Sequence, residues 1–150
     1  MKYGIRAAAL IVQKNQVLLV NHRENGIYDF WVPPGGSLVG SESILDCARR
    51  ETFEETGLTV ELGQILYIQE FWEPGYHFCK FFILCTDFSG DLTLANKETS
   101  ECFLVDSRFF SPDDLKNLTV FPTILKDQFW QDVFEEHSVT KYLGLEKLLY

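Results

Sequence analysis

Residues 36–58 read GSLVGSESILDCARRETFEETGL, and this stretch predicts a tight loop followed by one helix. Either Ser41 or Ser43 can cap the helix, since a serine hydroxyl accepts a hydrogen bond from a free backbone N–H of the first turn. We expect the helix to end at Thr56, because Gly57 readily adopts the left-handed conformation that terminates helices.

Three glutamates of this helix, Glu51, Glu54 and Glu55, are spaced by three and four positions and project from one face. Carboxylates this close repel each other, and Arg50 alone does not neutralise three of them. A divalent cation would, and oxygen ligands without His or Cys favour Mg²⁺ or Mn²⁺ over zinc. The alternative is a solvated acidic helix face, which an isolated E-x-x-E-E pattern also predicts.

The residues around the three acids favour the metal site. Gly35 and Gly36 precede the helix, and backbone without a Cβ can approach a metal or a phosphate closely. Glu42 lies at the helix start, where it can cap the helix or orient another side chain. Loop and helix thus form one candidate pocket.

The spacing of these residues resembles the Nudix box of the Nudix hydrolases. Thr52 departs from the box, since the family usually has an aliphatic residue there, but its methyl group can still pack. The matching positions are Gly36, Glu42, Arg50, Glu51, Glu54, Glu55, Gly57 and Leu58.

This resemblance implies an α+β fold, an α/β/α sandwich with a mixed central sheet and helices packed on both faces. It also implies hydrolysis of a nucleoside diphosphate linked to another group, with Mg²⁺ or Mn²⁺ as cofactor. Arg50 and Glu42 would orient the carboxylates. The implied metal ligands are Gly36, Glu51, Glu54 and Glu55.

The resemblance leaves the general base open, because the family uses either a box glutamate or an acid from a later loop. Residues 95–101 have the composition of a mobile loop, and such loops often complete a site. Glu98 and Glu101 are the candidates in this loop, and Asp106 is a third. We expect Glu101 to be the catalytic one, although plain solvated charge explains these loop glutamates equally well.

Family markers of the substrate conflict with each other. Pro74 resembles the marker of ADP-ribose pyrophosphatases, and Tyr76 resembles that of dinucleoside polyphosphate hydrolases. Pro74 followed by Gly75 also predicts a plain hairpin turn. Of these alternatives, we expect ADP-ribose or a similar nucleoside diphosphate sugar to be the substrate.

Aromatic and basic side chains near the predicted mouth of the site are the candidates for substrate contacts. Trp72 and Tyr76 flank the Pro74 turn and could stack on a base. Arg23 follows a predicted strand and could reach a phosphate as a bidentate donor; an exposed strand-end charge explains it equally well. Packing in the hydrophobic core is the alternative explanation for most of the aromatic side chains clustered in this region. The clustered rings are Tyr28, Phe30, Trp31, Phe71, Trp72 and Tyr76.

Composition excludes several classes of protein. A chain of 150 residues is expected to form one domain, 1–150. Its 13 basic and 22 acidic residues give a net charge of −9, which disfavours nucleic-acid binding. The longest apolar run, residues 7–12, predicts neither a membrane span nor a secretory signal, so we expect a cytoplasmic protein. A small nucleotide is the expected partner, and residues 140–150 could pack on the domain or on a second copy as a homodimer.

The rest of the sequence predicts strands and then helices around a mixed sheet. Helices are expected from Ser111 and over residues 122–136. The expected strands are 6–12 and 16–22 as a hairpin, 28–32, 59–71 and 76–87 as an antiparallel pair, and 101–106.

Two rival functions share the box. A nucleotide-sensing module would keep the fold without turnover, but it has no reason to retain three mutually repelling carboxylates. A hydrolase of dinucleoside polyphosphates or of damaged nucleoside triphosphates would release different products. The sequence favours a pyrophosphohydrolase that yields a nucleoside monophosphate and a phosphorylated remainder.

Overall fold

The computed structural model describes residues 1–99 and 101–149, which form two β-sheets and three helical segments. The helical segments are α1 (Ile44–Thr56), a 3₁₀ helix (Thr123–Lys126) and α2 (Phe129–Asp132). No helix within these ranges is both long and apolar enough to cross a membrane. The strands are β1 (Lys2–Leu10), β2 (Val12–Gln13), β3 (Gln16–Glu24), β4 (Tyr28–Val32), β5 (Gly35–Ser37), β6 (Thr59–Glu73), β7 (Tyr76–Ser89), β8 (Leu104–Phe110) and β9 (Lys141–Lys147).

The larger sheet has the strand order β5-β1-β7-β6-β9. Strand β1 pairs in parallel with β7 and β9 in parallel with β6, while the other pairs are antiparallel. Neighbouring residues of a strand point to opposite faces. Ala7 therefore packs against Ala48 of α1, whereas Ala8 shares a cluster with Leu125 and Phe129 on the other face. The expected α+β sandwich, with helices on both faces of a mixed sheet, is confirmed.

The smaller sheet is built around β3, which pairs antiparallel with β2, β4 and β8. The predicted hairpin turn forms at Lys14 and Asn15, whose φ angles of 49° and 59° suit a two-residue hairpin loop. The prediction of a single strand over residues 6–12 is wrong, because the chain changes sheet at Ile11. Residues 7–11 are fully buried, and an apolar run covered on both faces has no alternation that would reveal the change.

Helix α1 has the predicted ends. The Ser43 hydroxyl accepts a hydrogen bond from the Asp46 N–H at 3.1 Å, and the Asp46 carboxylate accepts one from the Ser43 N–H at 3.4 Å. This capping box satisfies two free donors of the first turn. Gly57, with a φ of 79°, closes the other end by donating its N–H to the Phe53 carbonyl.

The antiparallel pair β6–β7 is confirmed, but the prediction for the next strand is wrong at both ends. Strand β8 begins at Leu104 rather than Glu101 and continues to Phe110. Its bounds follow from pairing with β3, which lies far away in the sequence.

The predicted helix at Ser111 is wrong. Ser111 and Asp114 exchange the hydrogen bonds of a helix cap (2.9 and 3.3 Å), but only a turn follows. The Trp31 N–H donates to the Thr119 carbonyl, and this bond holds the following residues in an extended bridge to β4.

The predicted helix over residues 122–136 is divided into the 3₁₀ helix and α2. Asp127 interrupts it, since its φ of −142° is not helical. The Asp127 side chain accepts a hydrogen bond from the Gln128 N–H at 2.6 Å, a local bond that competes with helix formation.

Candidate active site

An acidic cluster lies between helix α1 and the loop before β8. Glu51 and Glu54 on α1 and Glu101 in the loop each offer one carboxylate oxygen, and these oxygens lie within 4.8 Å of one another. The helical spacing brings the first two together, and the loop supplies the third. Burial raises the pKa of Glu101, which makes this carboxylate a better proton acceptor.

The other two candidates for a general base lie elsewhere. The Glu98 N–H donates to the Glu101 carboxylate at 3.2 Å, so Glu98 supports the loop through its backbone. Asp106 on β8 accepts a hydrogen bond from Arg108 at 2.6 Å. Among the described residues, the structure brings neither acid into the acidic cluster.

Arg50 orients the carboxylates around it. Its guanidinium contacts Glu42 at 2.7 Å, Glu51 at 2.9 Å and Glu54 at 3.2 Å. It also donates to the Ser37 carbonyl at 3.2 Å, which ties the helix to β5. The hydrogen bonds from Arg50 lower the pKa of Glu42 to about 2, so this carboxylate stays charged and fixes the guanidinium.

Glu55 lies deeper than the other acids. Its side chain is buried, and its carboxylate accepts a hydrogen bond from the Gly35 N–H at 3.0 Å. Burial is the main cause that raises the pKa of Glu55 well above its usual value, and the charge of Glu51 adds to it. A buried carboxylate with a neutral donor is costly as an anion unless a cation lies beside it.

Gly36 lies against the acidic cluster without room for a side chain. A Cβ there would lie 2.6 Å from Glu51 Oε1. The Gly36 carbonyl, which the resemblance implies as a metal ligand, accepts a hydrogen bond from the Cys47 thiol at 3.4 Å.

The donor set fits a hard divalent cation. The three carboxylate oxygens of the acidic cluster lie closer to one another than carboxylates without a nearby positive charge would. Arg50 bonds to only two of the three acids. Oxygen-only donors of this kind suit Mg²⁺ or Mn²⁺. Glu51 and Glu54 would hold the ion, and Glu101 lies beside them on the separate loop. Glu55, which the resemblance also implies as a ligand, bonds to the Gly35 N–H.

An aromatic cavity of about 360 Å³ opens between the two sheets. Phe103, close in sequence to Glu101, is part of its wall, and the charges of Glu51 and Glu55 reach Lys80 on its floor. The cavity and the acidic cluster are therefore neighbours. The rings that line the cavity are Tyr28, Phe30, Phe71, Phe78, Phe103 and Phe121.

The structure does not place the predicted substrate-binding residues along this cavity. Phe71 lines it, so Trp72 points to the opposite face of β6. Tyr76 stacks on Phe78 with ring centroids 5.0 Å apart and its hydroxyl lies against Gly4. Arg23 lies at a shallow depression beside the turn between β3 and β4.

Sequence reasoning missed three basic residues of the cavity, Arg6, His22 and Lys80. Arg6 and Lys80 occupy positions that face the interior on strands whose neighbouring positions are apolar. A charged residue at such a position is a signal, since charged side chains are seldom buried without a role.

Comparison with known proteins gives one family. The family model described as NUDIX domain matches residues 2–131. The m7GpppN-mRNA hydrolase NUDT17 of Danio rerio is 37% identical over 76 residues, which are 48% of this chain and 25% of that protein. The match thus spans about a quarter of the length of that relative.

Solved structures share the fold. A MutT NUDIX hydrolase from Burkholderia pseudomallei has a TM-score of 0.71 at 24% identity, covering 85% of this chain and 98% of that one. An ADP-ribose pyrophosphatase from Streptococcus suis has a TM-score of 0.66 at 25% identity, covering 95% and 98% of the two chains.

Proposed function

This chain belongs to the Nudix family, and from that premise we propose that it is a pyrophosphohydrolase of nucleoside diphosphates linked to a sugar or another group. The products would be a nucleoside monophosphate and a phosphorylated remainder. Mg²⁺ or Mn²⁺ would be the cofactor.

The observation that carries this proposal is the acidic cluster. Three carboxylate oxygens, from Glu51, Glu54 and Glu101, lie within 4.8 Å of one another. Two of these acids lie on helix α1, where Arg50 bonds to both of them. Such crowding costs stability unless a cation offsets the repulsion. A surface salt bridge network alone would not need the third acid from a separate loop.

The bound ion would supply positive charge for the diphosphate of the substrate. Glu101 would accept the proton of the attacking water, since its carboxylate is in reach of the cluster and has a raised pKa. Arg50 keeps the helix carboxylates in place, and Glu42 keeps Arg50 in place. Stacking on the rings of the aromatic cavity would hold the nucleobase.

The aromatic cavity supports a nucleotide substrate, and Pro74 does not narrow its class. Gly75 has a φ of 86°, a conformation that favours glycine, and proline suits the position before it in a turn. The turn therefore explains both residue types. Pro74 therefore gives no separate support to ADP-ribose. Nucleoside diphosphate sugars, ADP-ribose among them, remain the substrates we propose.

A coupled phosphate assay with Mg²⁺ tests the function. The panel contains ADP-ribose, nucleoside diphosphate sugars, dinucleoside polyphosphates, a capped dinucleotide and nucleoside triphosphates. Turnover of the diphosphate-linked compounds to a nucleoside monophosphate is expected. Absence of turnover across the panel would favour a nucleotide-sensing module, and release of pyrophosphate from triphosphates would favour a triphosphate hydrolase.

A further inference from the structure

The aromatic cavity between the two sheets has two cations at its floor. Arg6 on β1 and Lys80 on β7 pair in register, and both side chains line the cavity. Residues paired in register on adjacent strands lie about 4.8 Å apart and point to the same face of the sheet. Among the described lining residues, the two cations accompany one acid, Glu73. The cavity wall is therefore net positive in a protein whose net charge is −9.

Within residues 1–99 and 101–149, neither cation forms an ion pair. The Arg6 guanidinium lies over the Phe78 ring, and the Lys80 ammonium group lies over the Phe82 ring, at 5.1 and 5.3 Å from the ring centroids. Arg6 Nε is buried and makes no hydrogen bond in these ranges. Aromatic faces attract cations, but they provide no oxygen acceptor for the N–H groups. Both cations thus lack an anionic partner in the described part of the chain.

The nearest acids do not supply that partner, because each has another bond. The charges of Glu55 and Glu51 reach Lys80, but Glu55 accepts a hydrogen bond from a backbone N–H of β5 at 3.0 Å and Glu51 pairs with Arg50 at 2.9 Å. Burial, with the charge of Arg6, lowers the pKa of Lys80 from 10.5 to about 7, the direction expected for a cation without a close counter-ion. A buried cation of this kind costs stability. The arrangement therefore suits an anionic group that enters the cavity.

The walls of the cavity define the shape of the ligand. Six of the described lining residues are Phe or Tyr, and flat rings stack on such side chains. A volume of about 360 Å³ lies in the range of pockets that hold small organic molecules. His22 Nε2, which is buried without a hydrogen bond among the described residues, would donate to an oxygen in its Nε2–H tautomer. A flat ring that carries an acid group matches both the walls and the floor, whereas a hydrated phosphate alone would not stack on the rings.

We propose that the aromatic cavity binds a nucleotide base that carries a carboxylate, with Arg6 and Lys80 as the groups that hold this acid. Nicotinate and orotate are bases of this kind. The selection is by charge: a carboxamide offers the same carbonyl oxygen as an acceptor, but only a carboxylate supplies the negative charge that the two cations lack. This inference rests on the proposed function, because it names the substrate of the same site. It places dinucleotides with a nicotinate ring ahead of those with a nicotinamide ring.

Two pairs of mononucleotides test the inference without turnover. Nicotinic acid mononucleotide has a carboxylate where nicotinamide mononucleotide has a carboxamide, and orotidine monophosphate is uridine monophosphate with an added carboxylate. Isothermal titration calorimetry with Mg²⁺ present is expected to give the acidic member of at least one pair an affinity about ten-fold or more above that of the other member. The net charge of −9 disfavours the more anionic member, so such a preference must arise locally. The absence of this preference in both pairs, or no binding of any of the four at millimolar concentration, would overturn the inference.

Variants locate the preference at the two cations. Lys80→Met and Arg6→Met remove the positive charge with little change in length, and each is expected to bring the ratio of the two dissociation constants close to one. Arg6→Lys keeps the charge and should keep most of the preference, which a role in packing alone would not explain. Lys116→Met is the matched control, since Lys116 is exposed and pairs with Asp113 outside the cavity. A wild-type ratio in both Met variants would overturn the assignment, and the wild-type protein tests the inference even where a variant does not fold.

The proposed function has its own outcome. If the acidic mononucleotides are preferred but no diphosphate-linked nucleotide is hydrolysed, the binding site for the acid stands and the hydrolase fails. If diphosphate-linked nucleotides are hydrolysed and the members of each pair bind equally, the hydrolase stands and the binding site for the acid fails.

Discussion

Gly36 and Glu51 are in such close contact that a Cβ on Gly36 would lie 2.6 Å from the carboxylate of Glu51. The edge strand β5 can therefore lie this close to helix α1 only because Gly36 has no side chain. Glu55 makes the second link, through its hydrogen bond from the Gly35 N–H. The two glycines thus position two of the carboxylates.

Gly36→Ala is expected to reduce kcat by about 100-fold, because Glu51 must move and displaced catalytic groups lose rates of that order. The comparison variant is Gly26→Ala, whose Cβ meets nothing within 4 Å but whose φ of 79° strains an alanine. It should cost about 1 kcal/mol of stability and no activity. Steady-state kinetics and urea unfolding of both variants give the measurement; equal activity in the two would contradict the role of Gly36.

Glu54→Gln is expected to fold normally and to lower turnover by about 100-fold or more, because it removes a charge that would face the cation while preserving shape. Magnesium titration by calorimetry should show weaker uptake than in the wild type. Glu136→Gln on the exposed surface is the matched control. A Glu54→Gln enzyme with near-normal turnover and Mg²⁺ affinity would remove the basis of the metal site.

Glu101→Gln is expected to lower kcat by about 10²- to 10⁴-fold, the usual contribution of a general base. A general base must be deprotonated to act, so kcat of the wild type should fall on the acidic side of the pH profile, and this limb should disappear in the variant. Glu98→Gln in the same loop should keep both rate and profile. A loss confined to Glu98→Gln would reverse the assignment of the base.

The sequence predicts the parts of the site that local spacing determines. Helix α1, its caps and the grouping of Glu51 with Glu54 follow from positions within one element. Glu101 could be predicted only as one of several acids, because its place depends on how the loop before β8 folds back to the helix. Local sequence patterns do not show which distant segments of the chain come together in the fold.

Strand register explains why the predicted substrate contacts do not lie along the aromatic cavity. Trp72 and Phe71 look equivalent in the sequence, but alternation sends only Phe71 to the cavity. Arg6 and Lys80 become neighbours through the pairing of β1 with β7, two strands that are far apart in the sequence. Because no hairpin turn connects two parallel strands, a turn signal in the sequence cannot predict their pairing.

His22→Phe is expected to make the protein less sensitive to acid. Burial, with the charges of Lys80 and Arg6, lowers the pKa of His22 to about 3 from 6.5. The unfolded chain then binds a proton below pH 6.5 that the folded chain takes up only near pH 3, so wild-type stability is full above pH 6.5 and falls as the pH drops.

At pH 5 this difference is about 2 kcal/mol. Urea unfolding at pH 7.5 and pH 5 should show a smaller loss for His22→Phe than for the wild type, and the new ring would pack with Phe30 and Phe103, which flank His22. The exposed His137→Phe variant controls for the substitution itself. An identical loss in wild type and His22→Phe would show that His22 titrates normally in the folded protein.

Thr52→Val is expected to stabilise the protein by about 1 kcal/mol, because Thr52 is fully buried and its hydroxyl has no partner among the described residues. Valine keeps the shape and removes the unpaired group. Thr56→Val one turn later is the matched contrast: the Thr56 hydroxyl donates to the Thr52 carbonyl at 2.6 Å and accepts from the Leu58 N–H at 3.2 Å. It should lose about 1–3 kcal/mol, since the Leu58 N–H would lose its partner. Thermal and urea unfolding measure both variants, and a loss in Thr52→Val as large as that in Thr56→Val would mean that the Thr52 hydroxyl is bonded in solution.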